Sequence, residues 1–183
     1  MIYEYISLFL GFIKIFIYKI INFNRISFKY IPKMNCSFRI AMKRNTKFIV
    51  GKNFRTRNNV SFRIYNEGRV TVGNNCFFND GCSINCQKKI EIGNNLICGQ
   101  NVMFFDHDHD YKNDINNFVR DEIKIGNNVW IGANCIILKG VTIGDNAVIA
   151  AGTIIKNDIE GNKMVYQKRI TAFKEVKRWN NNE

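Results

Sequence analysis

The chain holds a single proline, Pro32, among 183 residues. That scarcity excludes a proline-rich linker or an extracellular stalk. It holds two histidines, His107 and His109, two residues apart. Acidic residues are also few: Asp and Glu number 15 against 27 Lys and Arg, for a formal net charge of +12. The shortage is local. Residues 1–60 contain twelve bases and one acid, Glu4, a net +11, whereas residues 61–183 carry only +1. Such an excess calls for an acidic partner, and no nucleic-acid-binding motif accompanies it. Hydrophobic residues make up 46% of the chain, enough for a buried core, so a wholly disordered chain is excluded. The length suits one domain with an appendage.

The basic N-terminal third is also apolar. From Tyr5 to Phe23, fourteen of nineteen residues are hydrophobic. Glu4, Ser7, Gly11, Lys14 and Tyr18 recur at three- and four-residue spacing and fall on one narrow stripe of a helix that is otherwise apolar. Lys14 interrupts the apolar run and no small-residue cleavage site follows, which argues against a signal peptide. A central Lys costs roughly 2.5–3.5 kcal/mol on insertion, and twelve Ile, Leu and Phe return about 0.3–0.6 each, so spanning is near balance. Three placements stay open for residues 1–34: lying on an anionic membrane, packing against protein, or spanning.

The body is a hexad repeat. Isoleucine falls at 125, 131, 137, 143, 149 and 155, and Gly or Ala followed by Asn or Asp crowds the next places. No helix has a period of six. A short strand followed by a turn does, with the first and fifth places inward and Gly, Asn or Asp at the turn. Three such faces make an eighteen-residue coil, and stacked coils pair at the strand spacing of about 4.8 Å. The same grammar starts earlier at Val50, Val72 and Ile92, which gives roughly five coils over residues 35–160. From Ile92 to Ile125 is one coil plus fifteen residues, so residues near 110–122 leave the coil as an external loop directly after the histidines. Residues 161–183 form a short C-terminal extension.

Cys76, Cys82 and Cys135 take the inward fifth place and Cys98 the inward first place, on different faces. They read as small core residues of a reduced, cytosolic chain rather than a disulfide or zinc framework, while Cys36 and Cys86 have no assigned place. In FFDHDHDY the histidines admit three readings: metal ligands, an exposed polar turn, or acid–base catalysis, since imidazole has an ordinary pKa of about 6.5.

The repeat, with IGNNVWIG followed by GVTIGDNAVIAAGTI, resembles the hexapeptide-repeat acyltransferases over about residues 36–160. It is most similar to their sugar O-acetyltransferase branch, the galactoside, maltose and colanic acid acetyltransferases. The resemblance implies an all-β fold: a left-handed parallel β-helix with an N-terminal α-helix and a short C-terminal segment. It implies a bacterial homotrimer with sites between subunits, acetyl-CoA as co-substrate, and no metal. The related carbonic anhydrases use three histidines, and this chain has two. The implied activity is acetyl transfer to a sugar hydroxyl in surface polysaccharide (capsule, O-antigen or exopolysaccharide) biosynthesis, with a lipid-linked or small sugar acceptor. The enzyme would sit on the cytoplasmic face of the inner membrane, held by residues 1–34. Carried over by register, His109 is the general base and His107 its fallback or orienting neighbour. Asn79 meets the acceptor. The Ala133 backbone N–H faces the acyl oxygen, and Trp130 and Gly132 wall the site. Ala151 and Lys156 run beside the pantetheine arm and phosphates of coenzyme A. The family's Gly-x-Pro-Ala turn is missing from MVYQKRITAF, where Lys168, Arg169 and Lys174 offer other contacts to phosphate. N-acetylation of an amino sugar, and a non-catalytic β-solenoid scaffold, are the alternative readings.

Overall fold

The computed structural model describes residues 2–168 and 170–175. Arg169 and the end of the C-terminal extension lie outside the described residues. A helix, Ile2–Ile21, precedes a parallel β-helix with three flat faces of six strands each. The first face stacks Ile26–Phe28, Lys47–Val50, Arg69–Val72, Lys89–Ile92, Ile123–Ile125 and Thr142–Ile143. The second stacks Arg55–Thr56, Phe77–Phe78, Ile97–Cys98, Trp130–Ile131, Val148–Ile149 and Met164–Val165. The third stacks Arg39–Met42, Ser61–Ile64, Ser83–Cys86, Met103–Phe105, Ile136–Ile137 and Ile154–Ile155. The coil starts read from the sequence are in register, Val50 on Val72, Val72 on Ile92, Ile92 on Ile125 and Ile125 on Ile143.

The coil count differs from the expectation of about five, because six strands stack on each face. The additional coil, Ile26–Met42, turns without the Gly-Asn-Asn signature, so the hexad does not reveal it. The solenoid therefore begins at Ile26, inside the segment 1–34 assigned to the helix, which itself ends at Ile21.

The corner between the first and second faces explains why the repeat reads Gly-Asn-Asn. A Cβ on Gly73 would lie 2.5 Å from the Gly93 carbonyl oxygen, so only glycine permits the coils to approach there. The first Asn reaches down one coil: the Asn74, Asn94 and Asn127 side chains accept from the N–H groups of Lys52, Asn74 and Asn94 at 2.8–2.9 Å. The second Asn sits in the left-handed region, with φ near +58° at Asn75 and +60° at Asn95. Its amide bonds the next coil, in a ladder from Asn53 through Asn75, Asn95, Asn128 and Asn146 to Asn162, with steps of 2.7–3.0 Å.

Inside, Phe48, Phe54, Phe62 and Phe78 pack edge to face along the axis of the early coils. Later coils fill the same space with Ile131, Ile137, Val141, Ile143, Ala147 and Ile149. Cys76, Cys82, Cys98 and Cys135 are buried as expected, and Cys86 joins them. Burial pushes the Cys82 thiol up to about 11 and also raises Cys86 and Cys98, so these sulfurs are packing groups rather than nucleophiles. All six cysteines are free.

The helix closes the open end of the solenoid. Its narrow polar stripe faces inward: Ser7 Oγ donates to Cys36 Sγ, Lys14 Nζ donates to the Cys36 carbonyl, and Gly11 meets the Met34 backbone. Ile15 is buried with Ile26 and Met34. Among the described residues no helix is long and apolar enough to cross a membrane.

The asparagine ladder gives a test. Asn95→Ala should lower the unfolding free energy by about 2–3 kcal/mol, from one left-handed residue and two lost amide bonds. Asn95→Gly should recover the backbone share only. Urea denaturation of the three proteins measures both; equal loss in the two variants would mean the conformation contributes nothing.

Candidate active site

The excursion after the fourth coil is a β-hairpin rather than an irregular loop. Its strands are His107–Asp110 and Asp114–Arg120, antiparallel, with His107 opposite Arg120 and His109 opposite Phe118. It leaves the corner between the third and first faces, and the Asp121 N–H closes its base by donating to the Asp106 carbonyl at 2.8 Å.

Asp106 anchors this corner. It is wholly buried. Its carboxylate accepts from the backbone N–H groups of Gln87, Lys88 and Lys89 at 2.8, 2.7 and 2.9 Å. His107 Nδ1 completes the set, 2.9 Å from Oδ1. Burial by itself would raise the Asp106 pKa; the His107 and backbone hydrogen bonds outweigh it and hold the carboxyl below its ordinary value. A carboxylate only accepts, so His107 Nδ1 carries the hydrogen and its Nε2 is the free lone pair in the neutral ring.

His109 is arranged alike with a weaker partner. Its Nδ1 donates to the Ile115 carbonyl at 2.6 Å, and the ring is exposed. Phe118 lies against both imidazoles, with centroids 4.5 Å from His109 and 5.4 Å from His107. Arg120 Nε donates to Gln87 Oε1 at 2.9 Å, tying the hairpin to the preceding coil.

The other expected residues gather elsewhere. Asn79, Trp130, Gly132, Ala133 and Ala151 line one cleft of about 500 Å³ on the second face and its corner toward the third. Its floor is tight: a Cβ on Gly99 or Gly132 would come within 2.6 Å of the Ala133 or Ala151 nitrogen. Phe77, Ile97, Trp130, Val148 and Met164 stand in one outward column along it. Lys156 is not part of this lining; it follows Ile154–Ile155 on the third face, at the corner from which the hairpin leaves. Within one chain, then, the cleft and the histidines occupy different corners.

Phe118, Arg120 and the anchoring of Asp106 on three backbone N–H groups are what sequence reasoning missed. One signal was present. The QKK corner lacks the Asn of its neighbours, leaving three backbone donors that need an acceptor. Asp106→Asn should therefore lower unfolding free energy by about 1.5–3 kcal/mol, the range for hydrogen bonds to charged groups. A depressed carboxyl stabilises fully above its ordinary pKa of 3.8, and the stabilisation disappears as pH falls through the lower folded value. Denaturation midpoints of wild type and variant should stay apart at neutral pH and converge in acid.

Residues 122–157 match the family model "Bacterial transferase hexapeptide (six repeats)". The galactoside O-acetyltransferase of Escherichia coli K12 is 36% identical over 51% of this chain and 47% of its own length. WbbJ of the same organism, named as a candidate lipopolysaccharide biosynthesis O-acetyl transferase, is 24% identical over 63% of this chain and 65% of its own. The chain thus spans about half the length of the galactoside enzyme. Among solved structures, the N-acyltransferase AntD of Bacillus cereus, in complex with dTDP and 3-hydroxybutyryl-CoA, superposes with a TM-score of 0.66 at 15% identity, over 80% of each chain. That likeness concerns the fold. By its hexad repeat, its three-faced solenoid and these relatives, the chain is similar to the hexapeptide-repeat transferases, with the family's own signature in residues 122–157.

Proposed function

We propose that this chain transfers an acetyl group from acetyl-CoA to a sugar hydroxyl. The observation that carries the reading is the buried Asp106 carboxylate bonded to His107 at 2.9 Å, with the other ring nitrogen left free. A scaffold would need the Asp106 carboxylate for its three backbone donors, but it gains nothing from an imidazole held on that carboxylate with its second nitrogen free. The galactoside relative supports a sugar acceptor, and the WbbJ relative supports a surface polysaccharide precursor, free or lipid-linked.

The register of the hexads favours His109 as base, whereas the carboxylate on Nδ1 supports His107, and we take His107 as the base. Both rings present Nε2. His107 alone has a carboxylate on Nδ1, which stabilises the imidazolium that forms when the acceptor hydroxyl gives up its proton. His109 lies on the same hairpin face, two residues on, and is suited to orient the acceptor. In the cleft, the Ala133 N–H is suited to donate to the acyl oxygen as negative charge develops there. Acetyl-CoA supplies the acyl group, and the column of Phe77, Ile97 and Trp130 suits its pantetheine arm. Ala151 lies in the same lining, and Asn79 at its edge is suited to meet the acceptor. Because cleft and hairpin occupy different corners, a working site needs a second copy of the chain, and a homotrimer with parallel axes supplies one at each interface.

Free thiol released from acetyl-CoA in the presence of candidate sugars measures the activity. His107→Ala should lower kcat roughly 10²–10⁴-fold. Full activity in that variant, with loss in His109→Ala, returns the role to His109. Thiol release with amino sugars alone would mean N-acetylation, and none with any hydroxyl or amine acceptor would favour the scaffold. Sedimentation equilibrium should give three chains per particle; a monomer with full activity would overturn the shared site.

A further inference from the structure

The helix Ile2–Ile21 is docked the wrong way round for a helix of a water-soluble surface. Its few polar residues, Ser7, Gly11 and Lys14, face the first coil, so its broad apolar side faces outward. Ile2, Tyr5, Ile6, Phe9, Leu10, Ile13, Phe16, Ile17, Ile20 and Ile21 are each between 39% and 78% exposed, and Phe23 beyond the helix end is 76% exposed. An apolar face of this extent marks an interaction surface.

The charge beside it says what covers it. Lys29, Lys33, Arg39, Lys43, Arg44 and Lys47, all on the first coil and the start of the second, are exposed. The described ion pairs of the chain involve Lys88, Lys89, Lys124, Lys139, Lys163 and the Asp106–His107 contact. Among the described residues, therefore, no base in the first sixty has an acidic partner. A second copy brought face to face would set one unpaired +11 segment against another. An anionic bilayer satisfies both features at once, taking the apolar side chains into its acyl boundary and the lysines at its headgroups.

We propose that the outward face of Ile2–Ile21, with the exposed bases of the first coil, docks this protein flat on an anionic lipid bilayer without spanning it. Lys14, which weighs against insertion in the bare sequence, does not oppose this placement. Its ammonium is turned inward onto the Cys36 carbonyl, away from the lipid side. The inference stands apart from the acetyl-transfer reading, since it uses none of the same residues.

The test is co-sedimentation of the full chain with vesicles of phosphatidylcholine alone, or of phosphatidylcholine with phosphatidylglycerol. The protein should pellet with the anionic vesicles, stay in solution with the neutral ones, and be released by high salt. The triple variant Phe9→Gln, Ile13→Gln, Phe16→Gln alters only outward side chains. It should keep the wild-type circular dichroism and thermal midpoint yet partition at least roughly tenfold less. Lys29→Glu, Lys33→Glu, Lys43→Glu should weaken anionic binding by roughly a hundredfold. Equal binding to both vesicle types, binding that survives the glutamine variant, or no binding at all overturns the proposal. A glutamine variant that dissociates the particle in sedimentation, with vesicles ignored by wild type, would assign the face to a second copy.

Discussion

The structure depends on how closely successive coils approach at their corners. A coil must turn about 120° three times, and most turns leave backbone N–H groups and a left-handed residue to accommodate. Glycine clears the space, one asparagine accepts from the coil before it, and the next adopts positive φ while its amide bonds its neighbours above and below. Each corner therefore stabilises the stack only when the coil beside it is present. Cooperativity of this kind explains why the repeat tolerates Phe, Cys, Ile or Ala at inward places while the corner from the first to the second face stays so regular.

Where that regularity fails, a buried carboxylate takes over. The corner at Gln87–Lys89 has no asparagine, and its three backbone donors converge on the carboxylate of Asp106, one coil on. A carboxylate held by so many donors stays charged while buried, and it turns its remaining capacity to His107. The chain then leaves the solenoid as a hairpin, which Arg120 ties back to Gln87. A corner without asparagine is thus closed by a charged group, and the same carboxylate orients an imidazole.

The helix obeys the opposite logic to most amphipathic helices. The first coil offers it backbone carbonyls and a cysteine at its edge, so polar side chains are what it can use there. Ile15 enters the core and Tyr18 packs against it. The apolar remainder is left over on the outside, beside bases that have no acidic partner among the described residues.

Much was legible in the sequence. The period of six, the inward isoleucines from Ile125 to Ile155, the buried cysteines and the place of the excursion follow from local steric rules, because each hexad repeats the same backbone problem and the same solution. The first coil, Ile26–Met42, was not legible, since it turns without glycine and asparagine and is recognised only by the strands that stack on it. The grouping of Asn79, Trp130, Gly132, Ala133 and Ala151 in one cleft follows from hexad register. The burial of Asp106, the contact of Phe118 with both histidines, and the direction in which the helix turns its polar stripe are decided only by the tertiary structure. Those depend on which groups of distant coils come within hydrogen-bonding reach, and residue spacing carries no information about that.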